Sequence, residues 1–377
     1  MWFMIKKLAY ISGLIIWLWN LPAISAVTIA VISPKAGVYA RQGTEIFEGV
    51  RHAIDEINAN GGILKQKIKL LPIDDQCNNN IALSTAHMLA LNKHQTISLI
   101  VGPFCSNDFE ETTSIYASSG ILQIIPTAIS PSLKKVKQKG LIKMLGYSSG
   151  QAVDFFEYYN KHFAGETVAL LENREDAESV AVAEAMRDEF QKHGKSVMLK
   201  SYTYQENEVD TKIKYDTLAA KIVAEKNKIA YVTGTPKNIR KMVRYLKSEW
   251  SDFIIFTEQN AATDEYFEYL GNDAEGTYFL SLNRQVNDPD LAEEMVKLRL
   301  SGFTPEGLAL YGYSAVKIWE ALVRQVGTFN YAKISKKING NKIKTSLGSY
   351  YFVSGAPKNN EKYTIQHYHN GTFEKVY

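Results

Sequence analysis

The sequence predicts an α/β protein of two lobes, each an open, mainly parallel sheet flanked by helices. Three observations lead there. The 377 residues exceed what one hydrophobic core usually serves, so two domains of ordinary size are expected. From Val27 onward, short apolar runs alternate with longer amphipathic ones, the pattern of βα units. That alternation runs through once up to Gly146 and then begins again. With 45% hydrophobic and 22% charged residues, the composition is that of a folded globular chain.

In the first series, VTIAVI (27–32) is a continuous apolar run suited to a strand buried on both faces. The next stretch, with Thr44 as its N-cap, places Ile46, Val50, Ala53, Ile54 and Ile57 at helical spacing, and Asn60-Gly61-Gly62 stops it. IKLLPID (68–74), ISLIVG (97–102) and ILQIIP (121–126) are the following strands, with helices over 80–93 and 107–119. The second series predicts helices over 150–162, 178–193, 211–226 and 237–249, alternating with strands 167–172, 196–202, 229–234 and 253–258. GTYFLS (276–281) is its last strand. Helices over 289–300 and 306–326 and strands near 347–353, 363–369 and 372–377 are too few for a third domain. The chain is therefore expected to return to lobe 1 and finally cross into lobe 2, with His369-Asn370-Gly371 as the last hairpin turn.

Residues 1–26 read as a cleaved secretory signal: Lys6-Lys7, an apolar run from Leu8 to Trp19, then Pro22 to Ala26, with cleavage expected after Ala26. An apolar run of about twelve residues falls short of the roughly 20 that span hydrocarbon, so a soluble, periplasmic product is expected. Formal charge is +3, and without Lys6 and Lys7 the balance is near neutral, which argues against a nucleic-acid partner. Cys77 and Cys105 are the only cysteines. An exported pair with no third thiol favours one disulfide; the alternative, a metal site, lacks further ligands at zinc spacing.

Catalytic signatures are absent: no nucleophile elbow, P-loop, zinc-protease helix or dinucleotide fingerprint occurs. No cofactor and no metal is expected, and His367 and His369, which alternate onto one strand face, read as a solvated pair. What remains is the set of loops at the carboxyl ends of the strands, where open α/β sheets bind ligands. Gly102 to Asn107 leads into a helix whose free N–H groups attract a carboxylate, with Ser106 either its cap or part of a ligand site. Pro126 to Pro131 is an irregular polar turn.

At these residues the chain resembles the leucine/isoleucine/valine-binding type of periplasmic solute-binding protein of ABC transporters, with a type I periplasmic-binding fold. The resemblance rests on AIDEINANGGI (53–63), IDDQC ending at Cys77, IVGPFCS (100–106), IYASSGILQIIP (115–126) and EGLALYGYSAVKIWEAL (306–322), in that order. It implies three hinge crossings, near Tyr147, Leu282 and Tyr363. Lobe 1 would comprise 27–147 and 282–362, and lobe 2 would comprise 148–281 and 363–377. It also implies a Cys77–Cys105 disulfide and closure over one small ligand. Carried over by position, Ser106 and backbone N–H groups near Ala128 would hold an α-carboxylate, and Glu258 would receive the α-ammonium. As a bare sequence position, Glu258 also reads as a solvated strand-end carboxylate. Phe104, Cys105, Thr127, Tyr39, Arg41, Gln42 and Tyr147 are expected around them. Departures stand where the family's Thr falls on Ile129, a covering aromatic on Ala177, the first-loop aromatic on Gln42, and another lobe 2 Tyr near Thr235 or Pro236.

The resemblance implies a monomeric receptor that captures an amino acid or related carboxylate and delivers it to an ABC permease without doing chemistry. A sensor of the same fold for small amides or aromatic acids, uncoupled from transport, is the alternative. The substitutions at Ala177 and Gln42, with Arg41 and Tyr39 alongside, predict a ligand bulkier or more polar than leucine, isoleucine or valine.

Overall fold

The computed structural model describes residues 27–377 apart from 38, 93–95, 106–108, 129, 131, 132, 134, 206–210, 282–291, 306 and 359–362. Two sheets carry the fold. The first contains β1 (Val27–Ile32), β2 (Ile68–Ile73), β3 (Thr96–Val101), β4 (Leu122–Ile125) and β5 (Leu141–Lys143), in the order β2-β1-β3-β4-β5, with every pairing parallel. The second begins with β6 (Val168–Asn173), β7 (Leu199–Tyr204), β8 (Ile229–Val232), β9 (Ile254–Glu258) and β10 (Tyr278–Ser281), all parallel. A small antiparallel sheet follows, made of β11 (Lys342–Thr345), β12 (Gly348–Val353) and β13 (Ala356–Pro357). Finally β14 (Thr364–His369) and β15 (Thr372–Lys375) add antiparallel to the β10 edge of the second sheet, giving the order β15-β14-β10-β9-β8-β6-β7.

Strand order fixes where a ligand can enter. In the first sheet the chain leaves β1 toward β2 and leaves β3 toward β4, so a crevice opens at the carboxyl ends of β1 and β3. The same reversal in the second sheet opens one at β6 and β8.

Helix α1 (Ala40–Ala59) buries Ile46, Val50, Ala53, Ile54 and Ile57, the face that the spacing predicts. A later helix, Ala309–Val326, lies against it. Their backbones approach so closely that a β-carbon on Gly49 would sit 1.9 Å from the Ala309 carbonyl oxygen, and one on Gly312 would sit 2.2 Å from that of Ile46. Only glycine fits such a contact. Leu308 N–H donates to Glu45 Oε2 at 2.9 Å, Tyr313 O–H to Glu56 Oε2 at 2.6 Å, and Trp319 Nε1–H to Ser98 Oγ at 3.2 Å. The chain thus returns to the first sheet after building the second. The closing hairpin turns at Asn370 and Gly371, with φ of 50° and 75°, the left-handed pair that a tight two-residue turn requires.

Five elements differ from the sequence reading. Helix α1 starts at Ala40 and not at Thr44, whose hydroxyl donates to the Ala40 carbonyl at 2.7 Å inside the helix. The extra turn closes down on the β1 loop because Gly43 has no side chain; a β-carbon there would lie 1.9 Å from the Pro34 carbonyl oxygen. Residues Ser196–Met198 form a 3-10 turn, so the strand expected from 196 begins at Leu199. Strands β5 and β11 and the helix Tyr331–Lys337 are too short to show periodicity in sequence. Among the described residues no helix is long and apolar enough to cross a membrane.

Candidate functional site

The crevices of the two sheets meet in one cavity of about 180 Å³, below the ~300–1,000 Å³ of sites for drug-sized molecules. Its size suits a single small molecule. From lobe 1 it is lined by Tyr39, Arg41, Gln42 and Glu45 at the start of α1, by Phe104 after β3, by Thr127 and Ala128 after β4, and by Gly307 and Leu308. From lobe 2 come Gln151, Glu178, Glu258 at the end of β9, Asn260 and Tyr363.

The early start of α1 is what presents the first group, since Tyr39 precedes its first residue and Arg41 and Gln42 occupy its first turn. The Tyr39 ring lies 5.5 Å from that of Phe104, so these two aromatics form one wall. Phe104 is held by the neighbouring Cys77–Cys105 disulfide, with α-carbons 5.4 Å apart, which ties the loop after β2 to the loop after β3.

Lobe 2 contributes charge. Glu258 is 5% exposed. Gln151 Nε2–H donates to its Oε1 at 3.5 Å and also to the Tyr231 hydroxyl, while Oε2 has no hydrogen-bond partner. Desolvation raises this carboxyl to about 8, helped by the negative charge of Asp176, although Thr233, Gln151 and the Gly234 N–H pull it down. Glu178, in the first turn of the helix Ala177–Lys192, is also raised well above the carboxylate range, by desolvation and then by Glu258 and Asp176. Asp176 caps that helix, accepting the Glu178 N–H at 3.3 Å. Across the cavity, desolvation raises the Tyr39 phenol well above its usual value, with further contributions from Asp176, Glu178 and Glu258. The Tyr363 phenol moves the same way, from desolvation first.

Several lining groups have no partner. Gln42 Oε1, Thr127 Oγ1, Asn260 Oδ1 and the Tyr363 hydroxyl are shielded from solvent without a hydrogen bond, as is Glu258 Oε2. Each such atom costs about 1–3 kcal/mol if left unsatisfied, and a polar ligand would satisfy them.

Of the residues singled out from sequence, Tyr39, Arg41, Gln42, Phe104, Thr127, Ala128 and Glu258 line the cavity. Cys105 and Tyr147 do not. The first is taken up by the disulfide, and the second packs beside Lys143, whose Nζ lies 5.7 Å from its ring. Ser106, Ile129 and Leu282 lie outside the described residues. The aromatic expected to be lost at Gln42 is supplied three residues earlier by Tyr39. Thr235 and Pro236 begin a helix, with Thr235 Oγ1 accepting the Asn238 N–H at 3.3 Å, and neither lines the cavity. Sequence reasoning missed Glu178, Gln151 and Asn260. For Glu178 the available signal was its place beside Ala177, at the helix start after β6.

A family described as Periplasmic binding protein matches residues 26–372. An amino acid binding protein of Pseudomonas aeruginosa is 27% identical over 333 residues, covering 86% of each chain. The Leu/Ile/Val-binding protein of Escherichia coli is 22% identical and covers 91% of each. The leucine binding protein LivK of Thermotoga maritima shares the fold with a TM-score of 0.78 at 18% identity, over 93% of this chain and 98% of that one. A benzoate-bound solute binding protein of R. palustris does so with a TM-score of 0.76 at 16% identity, over 93% and 95%. With two lobes of the type I architecture meeting at one cavity, and a match spanning nearly the whole chain, this protein belongs to the periplasmic binding protein family.

Proposed function

We propose that this protein is a receptor for an amino acid or amino-acid-like zwitterion, captured between the lobes and delivered to an ABC transporter permease. The observation that carries this reading is the buried Glu258 carboxylate, whose Oε2 faces the cavity without a partner. A carboxylate removed from water and left unpaired is a site for a cation, and an ammonium supplies both charge and donors. The N–H groups near Ala128 and, as the resemblance implies, Ser106 would take the α-carboxylate. Names of relatives that bind amino acids support the same ligand class. The protein acts as a monomer, residues 1–26 direct it to the periplasm and are removed, and it performs no chemistry of its own.

In this reading the chain crosses between lobes near Tyr147, Leu282 and Tyr363, so 27–147 with 282–362 moves against 148–281 with 363–377. Ligand contacts from both sides favour the closed arrangement. Calorimetry of ligand-stripped protein against the L-amino acids tests the reading. Binding of one or more at micromolar affinity or better, weakened in Glu258→Gln, is expected. If no α-amino acid binds, the reading fails.

A further inference from the structure

Resting on that reading, we infer that the ligand carries a second cationic group, which Glu178 receives beside the ammonium at Glu258. The lining holds three carboxylates, Glu45, Glu178 and Glu258, against one cation, Arg41. That cation is already engaged: its Nε donates to Glu45 Oε1 at 3.2 Å and its Nη1 to Asp264 Oδ2 at 3.4 Å. Among the described residues, neither Glu178 nor Glu258 forms an ion pair. A single ammonium ionises one of them and leaves the other protonated, with the Asp176 carboxylate close behind, whereas a second cation lets both ionise.

The second sheet shows how this chain neutralises a buried carboxylate when no ligand is needed. Glu172, near the end of β6, is 5% exposed, the same as Glu258. It is held by Arg187 at 2.7 Å and Arg174 at 3.4 Å. Among the described residues no arginine pairs with Glu178 or Glu258, and Arg41 is engaged by Glu45 and Asp264. Aromatic rings are also at hand: Tyr39, Phe104 and Tyr363 line the cavity, and such rings attract a desolvated cation. An aliphatic side chain would leave Glu178 and the unpartnered Asn260 Oδ1 facing apolar surface, which disfavours leucine. A lysine- or arginine-like ligand brings donors to both.

The test uses ligand pairs that differ in the distal charge alone. Calorimetry on the ligand-stripped wild-type protein compares L-lysine with L-norleucine, and L-arginine with L-citrulline. At least a tenfold preference for the charged member of one pair is expected, falling as salt is raised. Glu178→Gln should reduce that preference to within about threefold, because the amide keeps the shape and removes the charge. Norleucine or citrulline binding as tightly as its charged partner overturns the inference while leaving the zwitterion reading intact. A charged preference that survives Glu178→Gln overturns the role of Glu178. Absence of binding by all four, and by the other α-amino acids, overturns both readings. The wild-type comparison stands even where the variant folds poorly.

Discussion

Glu172 and Glu258 sit two strands apart in the same sheet, at the carboxyl ends of β6 and β9, and are equally buried. Around Glu172 the chain has placed two arginines; around Glu258 it has placed neutral donors from Thr233, Gln151 and the Gly234 N–H, and further carboxylates, but no cation. The first group is complete as the chain folds. The second is complete only with something added, and burial alone does not distinguish them. Where a protein buries a carboxyl with no cation beside it and holds it largely protonated, a cationic ligand can supply the missing partner.

That contrast can be broken most forcefully at Glu258. Glu258→Gln should weaken binding of the cognate zwitterion by about 2–5 kcal/mol, since the ammonium loses a buried charge-assisted partner. The same change should raise the melting temperature of the ligand-free protein above pH 7, because it removes a carboxylate that the fold holds at a cost. Calorimetry and a thermal melt check the two halves, and a variant that loses stability and affinity together would make Glu258 resemble Glu172. Arg187→Ala should do the converse: it costs about 1–3 kcal/mol of stability by stripping a buried carboxylate of its nearer partner, and shifts ligand affinity less than twofold. Denaturant melts alongside titration decide it. In the proposed carboxylate site, Ser106→Ala should cost about 1–3 kcal/mol of binding to a carboxylated ligand. An unchanged affinity with reduced stability would make Ser106 a helix cap.

The proton balance sharpens the comparison further. Glu258 is raised in the folded state, so its contribution to stability is complete below about pH 4.5 and declines as pH rises toward 8, and the raised Glu178 acts in the same direction. Ligand-free protein should therefore melt roughly 2–4 °C lower relative to Glu258→Gln at pH 8 than at pH 5. A ligand ammonium requires the ionised carboxylate, so binding at pH 7 should release protons, measured as a dependence of the heat on buffer ionisation enthalpy. The smallest effect is expected at Arg41→Ala: its bond to Asp264 spans the lobes, yet the two side chains are 51% and 83% exposed, and such pairs contribute ~1 kcal/mol or less.

Much of the lobe 1 wall was legible because short loops after parallel strands have little freedom: Phe104, Thr127 and Ala128 fall where strand ends put them. Tyr39 needed the helix start, and a Thr at 44 is a stronger cap signal than anything at 39 or 40. The competing fact, Gly43 against the Pro34 carbonyl, is a tertiary contact with no local mark. Glu178 was hidden for a related reason. An acidic residue in the first turn of a helix is ordinarily explained by the helix dipole, and only the strand order turns this one toward a cavity. The unpartnered state of Glu258 and the paired state of Glu172 depend on arginines at 174 and 187, a pairing that no spacing rule announces.

The glycine contact between α1 and the helix Ala309–Val326 also sets an order of events. Glu45 and Leu308, which bond beside it, are 263 residues apart in sequence. Lobe 1 is the first to be synthesised, yet its helix layer closes only when nearly the whole chain is available, after the parallel strands of lobe 2 have been made. A fold closed by so distant a contact nucleates slowly. Synthesis of the N-terminal half cannot by itself commit the chain to its native state, because the helix that completes the first layer is supplied from residues 309–326.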